Sequence, residues 1–127
     1  TLVYRAGGLL GAGFAAAAPR LRTIQAGTVP RFDPAATPPT LIFWAAAWGL
    51  RTGDHEEMRL IGPNGQVLTR AHATVPGDRA EWLRYIGRPR PPGGWPRGRY
   101  RGLYRVTRTT EAGRVTITET AVEMTVP

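Results

Sequence analysis

Residues 94–106 read GWPRGRYRGLYRV. From position 97 the odd residues are Arg97, Arg99, Arg101, Leu103 and Arg105; the even ones are Gly98, Tyr100, Gly102, Tyr104 and Val106. Side chains alternate between the two faces of a strand, so this period predicts a β-strand with one wet face and one apolar, aromatic face. The arginines then stand in solvent because the tyrosines must reach the core. Whether the same row of cations also grips a polyanion is the functional question the stretch raises.

Upstream, Leu41–Leu50 reads LIFWAAAWGL, an unbroken apolar run. Such a run fits a buried helix or a strand covered on both faces. Its length, Pro39 before it and Thr52-Gly53-Asp54 after it favour the strand. Leu41, Phe43, Ala45 and Ala47 then share one side, and Ile42, Trp44, Ala46 and Trp48 the other. Glu57–Ile61 and Gln66–Val75 flank Gly62-Pro63-Asn64-Gly65, a hairpin signal. In the second arm Val67, Thr69, Ala71, Ala73 and Val75 are expected on one face, with Arg70 and His72 opposite. Ala80–Ile86 is a further strand, closed by Gly87 and the Pro-rich loop 89–96. The last strand holds Val115 and Ile117 in odd register, then Val122, Met124 and Val126 in even register. A β-bulge near Thr120–Ala121 would reconcile the two.

Six short strands, with a seventh to be sought in the N-terminal region, predict an all-β antiparallel sandwich. Residues 1–40 are rich in Gly, Ala and Pro, and their prolines bar a long helix. They read as an irregular linker or edge segment packed on a sandwich formed by 41–127. Gly98-Arg99-Tyr100-Arg101-Gly102 resembles the penultimate strand of immunoglobulin-like domains. That resemblance implies an immunoglobulin-like β-sandwich of about seven strands, in which the Tyr100 hydroxyl bonds back to an upstream backbone group. Gly102 stands where antibodies carry cysteine, so only the fold is implied.

Composition narrows the chemistry. All 17 basic residues are arginine, and the chain has no lysine, serine or cysteine. The usual acyl-transfer nucleophiles and any disulfide framework are therefore missing. The net charge of +8 sits largely in Glu81–Arg108, where eight arginines face the single acid Glu81. Such a run attracts polyanions or simply solvates a surface. Asp54-His55-Glu56-Glu57 has metal-capable atoms but is expected to be a solvated acidic cluster in a turn; no metal and no cofactor is expected. Gly11-Ala12-Gly13-Phe14-Ala15-Ala16 matches a dinucleotide fingerprint in form only, because Pro19 cuts off the helix it needs. No stretch reaches the roughly 20 apolar residues of a membrane span. The run Leu9–Ala18, with Arg5 ahead, imitates a short signal peptide, yet is expected to be a retained part of the folded chain.

Four stretches taken together carry a family resemblance: Tyr4–Phe14 (YRAGGLLGAGF); Leu41-Ile42-Phe43-Trp44-Ala45 followed by Gly49–Asp54; Arg59–Gly65 (RLIGPNG); and Gly93–Gly102 (GGWPRGRYRG). They resemble the region downstream of the catalytic domain in lysostaphin-type zinc metallopeptidases of bacteria, exported enzymes that cut peptidoglycan cross-links. The His-x-x-x-Asp and His-x-His patterns of those enzymes are absent, so no zinc ligand carries over to His55 or His72. The resemblance implies a non-catalytic accessory domain, exported to the periplasm or cell envelope, whose partners are an upstream catalytic domain of the same chain and peptidoglycan.

Two site readings follow. Arg88, Arg90, Trp95, Arg97, Arg99 and Arg101 are the candidate ligand-binding residues, since guanidinium forks suit carboxylates and an indole face suits a sugar. The competing reading is a proline-stiffened loop whose Trp95 plugs one end of the sandwich. Trp44 and Trp48 are the candidate domain-packing residues, unless residues 9–18 supply their cover. The alternative function is an arginine-rich β-domain that binds nucleic acid or another polyanion; against it, Tyr100 and Tyr104 are expected on the face opposite the arginines.

Overall fold

A computed structural model describes residues 7–127; Tyr4, Arg5 and Ala6 of the first resemblance stretch lie outside them. Seven strands form two antiparallel sheets. They are β1 (Gly8–Ala15), β2 (Thr40–Leu50), β3 (His55–Ile61), β4 (Val67–Thr74), β5 (Arg79–Pro89), β6 (Gly98–Thr110) and β7 (Gly113–Val126). One sheet has the order β1-β2-β5 and the other β4-β3-β6-β7. The chain changes sheet between β2 and β3, between β4 and β5, and between β5 and β6. The result is the expected immunoglobulin-like β-sandwich.

The seventh strand is β1, from the Gly- and Ala-rich N-terminal region. Its glycines have a packing reason. The Trp44 ring lies against Gly11 and Gly13, where an added Cβ would meet it at 3.2 Å, and Trp48 lies against Gly8, where a Cβ would come within 2.7 Å of its Nε1. Aromatic rings from β2 thus cover an edge strand that has little side-chain mass of its own. Beyond β1 the chain forms the short helix α1 (Leu21–Gln25) and a 3-10 turn at Pro34–Ala36 before entering β2.

β2 is covered on both sides, and its two faces divide as the alternation requires. Leu41, Phe43, Ala45 and Ala47 enter the core between the sheets. Ile42, Trp44 and Ala46 form a second cluster with Ala15 and Ile24, joined by Leu21, Val29 and Leu83. The cover over Trp44 therefore comes from Gly11, Gly13 and Ala15, within residues 9–18, together with α1 and Val29. On β6, Tyr100, Tyr104 and Val106 are buried inward while Arg99, Arg101 and Arg105 are exposed. The Tyr100 hydroxyl donates to the Pro96 carbonyl at 2.7 Å, the back-bond implied by the immunoglobulin-like pattern. Gly102 meets Phe43 of the facing sheet so closely that a Cβ would lie 2.5 Å from the ring.

Three sequence expectations are displaced. The bulge in the last strand falls at Ile117, because Val106 pairs with Thr118 while Thr107 pairs with Thr116. It lies three residues before the expected place near Thr120–Ala121. A second slip occurs at Leu68, since Leu60 pairs with Thr69 and Ile61 with Val67. Leu68 consequently packs on the core, and Val67, expected on one face with Thr69, Ala71, Ala73 and the buried Val75, is exposed. Third, Asp54 and Glu56 are not a solvated cluster; each is 1% exposed.

Glu56 lies inward on β3, in phase with Met58 and Leu60. Its Oε2 accepts from the Tyr104 hydroxyl at 2.6 Å, its Oε1 accepts from Trp82 Nε1 at 3.2 Å, and Arg84 Nε lies 3.2 Å from Oε1. Donors from both sheets thus converge on one carboxylate, which is how a buried charge is tolerated. Asp54 accepts two bonds from Arg108 at 2.8 Å and one from the Arg51 N–H at 2.8 Å. Its carbonyl accepts from the Val75 N–H at 2.8 Å, which fixes the β2–β3 turn against the end of β4.

Two outcomes follow for stability. Gly102→Ala is expected to cost about 2 kcal/mol by overpacking. Phe43→Leu in the same chain should recover part of that loss, as a denaturant double-mutant cycle would measure. Separately, burial first, then the charge of Glu56 and their hydrogen bond, hold the Tyr104 phenol far above its ordinary value, and burial raises Tyr100 as well. The unfolded chain releases these protons near pH 10 while the folded chain keeps them. Their contribution is full below about pH 10 and lost as the pH rises further. The urea midpoint should fall between about pH 9 and about pH 11, and less steeply in Tyr104→Phe.

Candidate functional site

The four-stranded sheet turns one face to the core and the other to solvent, and pairing register decides which charges meet on the outer side. Arg59 of β3 stands directly opposite Arg70 of β4, and on its other flank opposite Leu103 of β6. In the next row Glu57 faces His72 on one side and Arg105 on the other, and Arg105 in turn faces Glu119 of β7. Arg101 pairs in register with Glu123. Arg59, Arg70, Arg99, Arg101 and Arg105 therefore stand here against Glu57, Glu119 and Glu123.

Their neutralisation is uneven. Arg105 Nη2 reaches Glu57 Oε2 at 3.3 Å. Arg99 and Arg101 share Glu123, at 3.7 and 3.6 Å, all three groups being about half exposed or more. Such exposed, shared pairs contribute little stability. Arg59 and Arg70 are both exposed and make no hydrogen bond or ion pair among the described residues. Like charges directly opposite on neighbouring strands repel. An anion between two guanidiniums removes that repulsion and accepts from both forks.

The sequence-derived candidates do not form one cluster. Arg99 and Arg101 lie together beside Glu123 on this outer face. Arg97 is exposed just before β6 and makes no hydrogen bond or ion pair among the described residues. Arg88 donates to the Leu68 carbonyl at 2.7 Å, and Arg90 donates to the Thr37 carbonyl, so both cations brace backbone. Trp95 is half-buried; its Nε1 donates to the Pro38 carbonyl at 3.0 Å and its ring meets Phe32 edge-on at 5.6 Å. It packs against the main core cluster as a plug, the competing reading of the loop. Trp44 is 7% exposed and sits beneath the second cluster, whereas Trp48 is 41% exposed. Of the two domain-packing candidates, only Trp48 offers surface to another domain.

Sequence reasoning missed the Arg59–Arg70 pair. Its signal lies in pairing register, which the bulge at Leu68 resets. The buried carboxylates are no substitute site. The two oxygens of Asp54 and the two of Glu56 already accept from neighbouring donors, and bonding to Asp54 lifts the Arg108 guanidinium above its ordinary range. Among the described residues no group of three or more His, Cys, Asp or Glu side chains is placed to hold a metal ion. Nor does any helix among them have the length and apolarity to cross a membrane.

No protein-family model matches the chain, and no curated protein matches its sequence. Among solved structures, it is similar to part of a β-glucuronidase of Bifidobacterium dentium, solved in complex with coumarin-3-O-glucuronide. The identity is 12% and the TM-score 0.48, over 94% of this chain and 18% of that one. The chain thus spans less than a fifth of that enzyme's length. None of these comparisons ties it to a zinc metallopeptidase.

The packing of Trp95 sets a test of its role. Trp95→Ala is expected to lower stability by about 2 kcal/mol, short of the value for a fully buried ring, in a denaturant titration. An unchanged midpoint would return the indole to the list of free binding surfaces.

Proposed function

We propose that this chain is a non-catalytic accessory domain that holds an anionic polymer on the outer face of its four-stranded sheet. The observation that carries this reading is the in-register pair Arg59–Arg70, exposed and without a counter-charge among the described residues. It stands in a field where arginines outnumber glutamates. Arg99 and Arg101 extend the contact, since the carboxylate they share leaves donors of both forks free.

In its finer form the polymer is peptidoglycan, whose stem peptides carry carboxylates. The parent chain is then an exported zinc metallopeptidase of the periplasm or envelope, and the domain positions its catalytic neighbour on the wall. That form rests on the sequence resemblance. Nucleic acid, the other polyanion considered, is less well served. Tyr100 and Tyr104 are each 1% exposed, so neither tyrosine can stack a base on the arginine face.

Sedimentation with purified peptidoglycan, with a labelled oligonucleotide in parallel, tests the proposal. Arg59→Gln combined with Arg70→Gln should weaken retention on peptidoglycan at least tenfold, the loss expected for two charge-assisted contacts. The remaining binding should weaken further with added salt. Arg88→Gln, away from this face, should bind as the parent does. Equal retention by the double variant would overturn the site, and stronger binding to the oligonucleotide would overturn the choice of polymer.

A further inference from the structure

A groove of about 570 Å³ opens between β1 and β7, the two strands that end their sheets on this side of the sandwich. Val29, Phe32 and Met124 are among its apolar walls, and Arg31 and Glu123 also line it. Its volume lies within the usual range of ligand pockets.

Three features point to one kind of occupant. The first is main chain. Among the described residues β1 pairs with β2 alone, and no strand takes up its other edge. The Phe32 N–H bonds to the Phe14 carbonyl at 3.1 Å, so Phe14 faces that free edge. Ala12, two residues earlier and in unbroken register, faces the same way and lines the groove. A donor and an acceptor on one residue of an edge strand match an extended peptide, the chemistry of strand addition. Phe32 already makes one such bond at the end of the groove.

The second feature is an orphan donor. Trp44 Nε1 is buried and has no hydrogen-bond partner among the described residues. It lies over Gly13, where an added Cβ would sit 3.3 Å from it, and both residues line the groove. Buried indole N–H groups usually find an acceptor. The third feature is charge. Arg31 is exposed and makes no ion pair among the described residues, whereas Glu123 is engaged by Arg99 and Arg101. The free charge of the groove is positive.

We propose that the seam between β1 and β7 binds an extended peptide carrying a carboxylate. The peptide adds to the edge of β1 at Ala12, presents an acceptor to Trp44 Nε1 and places its carboxylate on Arg31. This site meets the arginine face at Glu123, which Arg99 and Arg101 engage, but it does not depend on the polymer-binding reading.

The probe is a short N-acetylated peptide of alternating valine and threonine with a free C-terminal carboxylate, compared with the same peptide amidated. Binding is followed by NMR on the whole chain. The Ala12 amide and the Trp44 indole N–H should shift and gain protection from exchange. The amidated peptide should bind about tenfold more weakly, the loss expected for one charge-assisted pair. Arg31→Gln should erase the difference between the two peptides. Ala12→Pro removes a donor that β2 does not use, and should abolish binding; should that variant unfold, Arg31→Gln still decides the matter. No shift at the indole on saturation, or equal binding of both peptides to the parent chain, would overturn the proposal. Signals that move with protein concentration alone would overturn it in favour of pairing between two copies.

Discussion

Phe43 lying on Gly102 is the contact on which the rest of this sandwich turns. With a Cβ position only 2.5 Å from the ring, the two sheets meet here at a distance set by the absence of a side chain. Where an immunoglobulin domain joins its sheets by a disulfide, this chain has no cysteine and uses an aromatic ring seated on a glycine. The contact fixes the register of β6 as well, because Gly102 inward means Tyr100 and Tyr104 inward. Their hydroxyls then find Pro96 and Glu56. Everything of opposite parity goes outward, and in this strand that is mostly arginine. The charged face is thus a consequence of core geometry before it is anything functional.

Glu56 extends the same logic into electrostatics. A buried carboxylate is costly unless its acceptor sites are filled. Here β6 supplies a phenol, while β5 of the other sheet supplies an indole N–H and a guanidinium. The arrangement holds only if the two sheets are in the one relative position that brings β5 over β3. It therefore specifies how the sheets face one another, which apolar contacts alone specify weakly. Asp54 and Arg108 play the corresponding part at the β2–β3 turn, where the carboxylate and backbone of Asp54 tie together β6, the turn and the end of β4.

Strand existence was legible because alternation survives in a single sequence. The two faces of Leu41–Leu50 and the inward tyrosines needed nothing but parity. Bulges were not legible in position, since an extra residue such as Leu68 or Ile117 carries no mark of its type. It is visible only as a conflict of register somewhere along the strand. The buried carboxylates were legible in principle: residues 54 and 56 continue the even parity of Met58 and Leu60. They were misread because charged residues are so seldom fully buried. The candidate site was legible only in part. Arg99 and Arg101 follow from strand parity, but Arg59 opposite Arg70 is a cross-strand fact, fixed by a hairpin register that the bulge shifts. Part of the cover over Trp44 comes from α1, a helix too short to leave a periodic signal.

The division of labour between the faces follows from what each has left to offer. On the outside of the three-stranded sheet, α1 and Val29 use up Ile42, Trp44 and Ala46, leaving Trp48 and Tyr85 as its exposed aromatic rings. Among the described residues the four-stranded sheet has no such cover, and its outer face carries the broad charged surface. There, two unpaired guanidiniums in register cost the free protein little. At about 4 Å in water, like unit charges repel by only about 1 kcal/mol, and salt reduces that further. An anion that enters between them gains from both forks at once and removes the repulsion in the same step. A fold needs no great stability to hold such a pair in readiness, and a small sandwich with its sheets locked by Phe43 and Glu56 can do so.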